Sequence, residues 1–219
     1  MGKLLSLLFI ALAGCSAQPY AASVRLPEPQ VEGLLSVEAA LARRRSVRSY
    51  TSEPLTLEAV GQLLWSAQGV THPLGYRTAP SAGALYPLEL YVVARRVEGL
   101  APGVYRYRPG RHTLRLRSEG DRSAELARAA LRQDAVRDAA AVLVFAAVES
   151  RTASKYGPHA MRYILIETGH AAQNVLLQVQ ALNLAAVVIG AFHDDDVKAL
   201  LDVPDRERVL YLLPVGHPR

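Results

Sequence analysis

From His159 to Leu182 the chain runs through Ile164, Leu165, Ala171, Ala172, Val175, Leu176, Leu177 and Val179, a helix-forming stretch that is apolar on most sides. A helix patterned this way belongs inside a fold rather than on its surface. Arg162, Glu167, His170, Gln173 and Asn174 interrupt it, and such groups are costly in lipid, so it is no membrane span. Tyr163, Glu167, His170, Asn174 and Gln178 recur at steps of three and four and form one polar stripe. That stripe admits two readings: a satisfied polar seam in a core or subunit interface, or a row of catalytic side chains.

A buried helix needs a layer to lie on, and the remaining sequence supplies strands. Ser36 caps a helix over Val37–Arg45, and Thr56 caps a second ending near Gly69. Leu88–Ala94 is rich in β-formers and reads as a strand. Val104–Arg108 and Thr113–Arg117 alternate around Pro109-Gly110, a hairpin signal. A helix is expected over Glu119–Gln133, buried strands over Ala141–Val148 and Ala185–Phe192, a short helix from Asp194 to Leu201, and a last strand over Val209–Gly216. The order predicts an α+β fold: a mixed sheet flanked by helices, with one long buried helix.

The N-terminus reads as an address. Lys3 gives a positive start, and Leu4–Ala13 is apolar except for Ser6. At 1.5 Å per residue this run covers about half of a bilayer core of about 30 Å, too little to span it. Leu12-Ala13-Gly14-Cys15 is similar to a bacterial lipobox, and Cys15 is the only cysteine in the chain. The reading is a signal peptide over 1–14, lipidation at Cys15, a tether over 15–35 and a single domain over 36–219. It implies an exported protein held at a membrane, with Ser16 favouring the periplasmic face of an outer membrane. Loss of residues 1–14 removes Lys3 alone and leaves 24 basic against 20 acidic residues, a net charge of +4. No basic stripe is interleaved with aromatics, so nucleic acid is not an expected partner.

Two segments carry chemistry. Arg44, Arg45, Ser46 and Arg48 follow the first helix, and in extended backbone Arg44, Ser46 and Arg48 point to one side. Two guanidinium forks and a hydroxyl can hold a phosphate, although a solvated basic patch has the same composition. Arg77-Thr78-Ala79-Pro80-Ser81-Ala82-Gly83-Ala84-Leu85-Tyr86-Pro87 is a small-residue loop through which backbone can approach a flat ligand. Neither the Walker nor the Rossmann glycine pattern is present. His193 and Asp194–Asp196 show no ligand spacing; three acids at a helix start cap it and complement its dipole, so no metal is expected.

These segments, together with Lys155-Tyr156-Gly157, Glu167-Thr168-Gly169-His170-Ala171-Ala172-Gln173-Asn174, Ile189-Gly190-Ala191-Phe192 and the closing Val215-Gly216-His217-Pro218-Arg219, occur in the order found in one family. The chain resembles the FMN-dependent nitroreductases, in particular their SagB-type dehydrogenase branch, which includes thiazoline and oxazoline oxidases. The resemblance implies a homodimer with FMN at the subunit interface, and makes the long buried helix the interface helix. It implies that Arg44, Arg45, Ser46, Arg48 and Arg219 hold the phosphate and the pyrimidine edge, and that Pro80, Ser81, Ala82 and Gly83 come from the partner to line the ring. Gln133 matches an amide side chain of the family, and Gly190 and Ala191 would direct backbone amides at the ring.

Lys155 and Tyr156 match an acid/base pair that would act on a small-molecule or peptide-derived substrate. A solvated loop lysine is the simpler account of Lys155. The functional expectation is hydride transfer between flavin and substrate in the cell envelope, with a non-catalytic flavin-binding lipoprotein as the alternative.

Overall fold

Ala141–Val148 is a run of eight apolar residues, and all eight are buried. In the computed structural model, which describes residues 23–219, this run is β5 of a seven-stranded sheet. Its side chains alternate between two cores. Leu143, Phe145 and Ala147 enter one, while Val142, Val144 and Ala146 enter the other. That two-sided burial is why the strand shows no polar alternation.

The strands are β1 (Ser23–Arg25), β2 (Leu88–Ala94), β3 (Gly103–Arg108), β4 (Thr113–Glu119), β5, β6 (Ala185–Ala186) and β7 (Glu207–Gly216). Their order is β1-β4-β3-β2-β5-β7-β6, and every ladder is antiparallel. The fold is therefore α+β as expected, but the sheet is not mixed. Strand direction is set by the connections, about which hydropathy is silent.

Helices cover both faces. α1 (Val37–Arg43), α2 (Leu57–Gln68) and α6 (Ala160–Ala181) lie on one side, where Leu63, Leu64, Ile164 and Val175 join the first core. On the other side, α3 (Ser123–Ala129), α4 (Asp134–Asp138) and α7 (Asp194–Leu200) contribute Leu126, Val136 and Val197 to the second. The remaining helix is α5 (Glu149–Tyr156). Ser36 and Thr56 accept from the Ala39 and Ala59 amides, as their cap roles require.

Four expectations change. The helix expected over Glu119–Gln133 is confined to Ser123–Ala129, because Leu131 and Arg132 take left-handed backbone just beyond it, and α4 starts only at Asp134. The strand over Ala185–Phe192 shortens to two residues plus an Ile189–Leu212 bridge. Within the tether expected over 15–35, residues 23–30 are docked: Leu26 is buried, its amide donates to the His112 carbonyl, and Gln30 and Gln62 exchange two hydrogen bonds of 2.9 Å, while Val31 and Leu34 are exposed. Finally, α6 buries its inner face but leaves Leu165 and Ile166 about half exposed in the protomer. The proposed signal and the lipidation site Cys15 lie outside the described residues. Among the described residues no helix is long and apolar enough to cross a membrane.

Candidate active site

The first group of candidate residues is assembled where the chain leaves α1. The Val47 amide donates to the Ala186 carbonyl and the Thr51 amide to the His217 carbonyl, both at 3.0 Å. Tyr50 Oη lies 3.0 Å from the Val47 carbonyl and 3.2 Å from that of Pro214. The Tyr50 ring packs so closely on Gly216 that a Cβ there would come within 2.9 Å of Tyr50 Cβ. Inward Val47 and Tyr50 thus fix an edge from which Ser46 and Arg48 are exposed and Arg44 is half-buried. Among the described residues these three side chains make no hydrogen bond or ion pair. Arg45 differs: its Nη1 turns back to donate to the Ala42 and Arg44 carbonyls at 3.0 and 2.8 Å.

The segment that begins at Ala186, whose carbonyl accepts from the Val47 amide, carries Gly190 and Ala191 further on. The amide and carbonyl of Ile189 pair with Leu212, and Gly190 and Ala191 then emerge exposed. Among the described residues their N–H groups donate to no protein acceptor. Gln133 Nε2 donates to the Ala191 and Ala130 carbonyls, each at 3.0 Å. Arg219 is exposed and beside Asp138, whose carboxyl is held below its usual range by the Arg137 hydrogen bond first and by Arg95 and Arg219 more weakly.

The second group is the loop at Pro80. Ser81 Oγ accepts from the Tyr86 amide at 2.9 Å and closes the loop on itself. Gly83 has φ +64°, and Ala84 and Tyr86 share the left-handed region. A Cβ on Gly83 would stand 3.2 Å from Lys155 Nζ and 3.2 Å from Tyr156 Oη. The glycine is needed twice there, for its φ and for its missing side chain. Lys155 is exposed but sits in the last turn of α5, not in a loop. Its Nζ lies 5.6 Å from the centre of the half-buried Tyr156 ring, which packs against Tyr163 at 4.6 Å.

Beneath this loop lies a polar cluster whose members come from separate segments of the sequence. Arg77 Nη1 donates to Gln68 Oε1 at 2.7 Å, and its guanidinium lies 4.5 Å over the Tyr86 ring. Glu167 is 3% exposed and faces Ser81 and Arg77, with Oε1 unpartnered. Burial pushes its carboxyl up to about 7, although Ser81 and Arg77 oppose the shift. Arg77 and Glu167 each stood in a segment singled out in the sequence, and Glu167 also in the polar stripe, but no spacing joined the two.

A second network anchors the loop's far end. Arg151 donates to the Tyr86 carbonyl at 2.9 Å and to Glu89 at 2.6 Å. Glu89 also pairs with Arg106 at 2.8 Å, and Arg106 contacts Glu207 at 3.1 Å. Tyr91 Oη donates to Glu207 at 2.7 Å. Burial pushes Glu89 up, but Arg106 and Arg151 outweigh it and hold the carboxyl below its usual range. Nothing in the spacing of these residues announced the network, because strand pairing creates it.

Among the described residues no group of three or more His, Cys, Asp or Glu is placed to hold a metal ion. Asp194–Asp196 occupy the first turn of α7, where acids complement the helix dipole, but no side chain caps it.

The nitroreductase family model matches residues 41–217. A protein of Methanocaldococcus jannaschii assigned as a nitroreductase is 44% identical over 188 residues, which is 86% of this chain and 93% of that protein. A crystal structure from Anabaena variabilis, likewise assigned as a nitroreductase, superposes with a TM-score of 0.81 at 30% identity; it covers 92% of this chain, which spans 42% of that one. An NADPH:FMN oxidoreductase from Vibrio harveyi, solved with NAD+, shares the fold at a TM-score of 0.61 and 24% identity, over 83% of this chain and 68% of that one.

Proposed function

The chain belongs to the nitroreductase family and is an oxidoreductase, and from this premise we propose that it uses FMN and works as a SagB-type dehydrogenase in the cell envelope. The observation that carries the reading is the seating of Gly83 against Lys155 and Tyr156, which sets the loop matched to the ring wall beside the pair matched to acid/base work.

The residues present fit FMN. Among the described residues Arg44, Ser46 and Arg48 are unpaired donors suited to a phosphate, and Gly190 and Ala191 offer exposed amides. Arg45 and Gln133 support from behind, the first on the end of α1 and the second on the Ala191 carbonyl. Bound FMN supplies hydride acceptance and donation. Pro80, Ser81, Ala82 and Gly83 wall the site, and small side chains there leave backbone free to meet a flat ring. Lys155 and Tyr156 take a proton from, or return it to, a small-molecule or peptide-derived substrate held at Gly83.

A homodimer completes the arrangement, with the loop of one copy facing the Arg44–Arg48 group of the other. The half-exposed Leu165 and Ile166 on α6 support that pairing, since a second copy would cover them. Lipidation at Cys15 would hold the enzyme at the periplasmic face of the outer membrane, and no nucleic acid is involved.

An absorption spectrum of the purified full chain tests this. Bound FMN, bleached anaerobically by a donor and recoloured on reoxidation, is the expected result. A colourless protein that takes up no FMN would refute it. A yellow protein that turns over with no donor or substrate would instead leave a flavin-binding envelope lipoprotein.

A further inference from the structure

The sheet ends at β1, and the register there builds a charged face. Arg25 pairs with Thr113, which pairs on its other side with Arg108. Ser23 pairs with Arg115, which pairs with Arg106. Cross-strand partners share a face, so these two rows point one way. The alternate residues Val24, Leu114 and Tyr107 point the other way, into or against the first core. The face therefore cannot rotate without exposing that core.

Two of the arginines on these strands are neutralised: Arg106 by Glu89 and Glu207, and Arg117 by Asp202 at 2.7 Å. The others are not. Arg25, Arg108, Arg111 at the hairpin turn, and Arg115 are all exposed, and among the described residues none makes an ion pair or side-chain hydrogen bond. With Ser23 and Thr113 they line one groove that has no acid among its described lining residues. Partial burial first, then the like charges of Arg106 and Arg115, depress Arg108 below its ordinary value. The face is thus built to gain from an anionic partner.

Chain length says which partner. Ser23 stands eight residues after Cys15. At up to 3.6 Å per residue, those residues reach about 29 Å at most. An anchor at Cys15 therefore keeps β1 within about 29 Å of the bilayer, close enough for the face to reach the surface, where anionic headgroups attract arginines lying within a Debye length of about 8 Å. We propose that the Arg25, Arg108, Arg111 and Arg115 face docks onto anionic phospholipid headgroups of the membrane that holds the chain. This rests on the anchor reading given above. Guanidinium forks and the Ser23 and Thr113 hydroxyls match phosphate oxygens. Docking would fix the orientation of the enzyme on the membrane.

The test uses the full chain carrying Cys15→Ser, which removes acylation. Flotation compares phosphatidylcholine vesicles with vesicles containing phosphatidylglycerol; the leader and its Lys3 are common to every variant, so the contribution of the four arginines is the difference between variants. The expected result is at least about tenfold tighter association with phosphatidylglycerol, since each arginine near the surface is worth about fivefold. R25Q/R108Q/R111Q/R115Q should lose that preference, the matching four-lysine variant should keep it, and 1 M NaCl should abolish it.

No lipid preference, or a preference that survives the four glutamines, overturns the proposal. So does binding of inorganic phosphate or polyuridylate with no preference for phosphatidylglycerol vesicles. Mass spectrometry showing an unmodified Cys15 in wild-type protein would sink the anchor alone, because the vesicle comparison is made without acylation.

Discussion

Glu167→Gln separates a buried acid from a merely polar side chain. In the folded chain the carboxyl titrates near 7, against an ordinary 4.5, with burial as the main cause. Folding therefore favours the protonated form. Below pH 4.5 both states hold the proton and nothing is lost. As pH rises from 4.5 to 7 the unfolded chain releases its proton first, so stability falls. Above 7 the full loss is in place, at most about 3 kcal/mol.

Glutamine keeps the shape of the protonated acid and cannot ionise. Wild type and Glu167→Gln should thus match at pH 4.5, and the variant should gain steadily up to pH 7.5. Thermal unfolding across that range reads the gain as a Tm difference on the order of 5–10 °C. All other titrations cancel in the comparison. A constant difference between the two proteins at every pH would refute the reasoning, because it would mean that Glu167 does not change protonation in this window.

Gly83→Ala places a Cβ at φ +64° and 3.2 Å from Lys155 Nζ and Tyr156 Oη. It should cost about 1–2 kcal/mol of stability and reduce turnover while flavin content is retained, checked by thermal unfolding and kcat. Lys155→Ala and Tyr156→Phe should each lower kcat by about 10²–10⁴-fold without bleaching the bound cofactor, if the pair moves a proton; steady-state rates at matched flavin content decide it. Glu89→Ala leaves Arg106, 8% exposed at its side chain, with Glu207 alone. The expected loss is about 3 kcal/mol, measured by denaturant unfolding.

What the sequence revealed follows from which forces act locally. β5 was visible because eight apolar residues in a row suit a strand with a core on each side. The hairpin was visible because Pro109-Gly110 carries its own turn geometry. α5 was not: Glu149–Tyr156 is polar, lacks a side-chain cap, and is held by its packing with α6. β1 was not either, because its three residues gain their partners only when the distant Thr113–Arg115 segment is in place. In the site, Arg44, Ser46 and Arg48 were legible from alternation. The meeting of Gly83 with Lys155 joins residues far apart in the chain, and only the family resemblance pointed to them both.

The polar stripe on α6 shows how the two readings divide. Toward its C-terminal end it is a seam: Asn174 Nδ2 donates to the Ser66 and Thr78 carbonyls at 3.1 and 3.3 Å, and Gln178 Oε1 accepts from Gln62 at 3.3 Å. Toward its N-terminal end the same face lies against the candidate site. Glu167 lies under Ser81, and Tyr163 packs on Tyr156. His170, between them, is exposed. Helical periodicity puts all five on one line but cannot say what each will meet. That depends on the Trp65–Ser81 segment, which crosses α6 at Asn174 and reaches Glu167 through Ser81. One helix face thus fixes the segment leading into the loop and lays a titratable group beneath the loop itself. A change in the charge of Glu167 would therefore be felt at Ser81 and, two residues on, at the Gly83 contact with Lys155 and Tyr156.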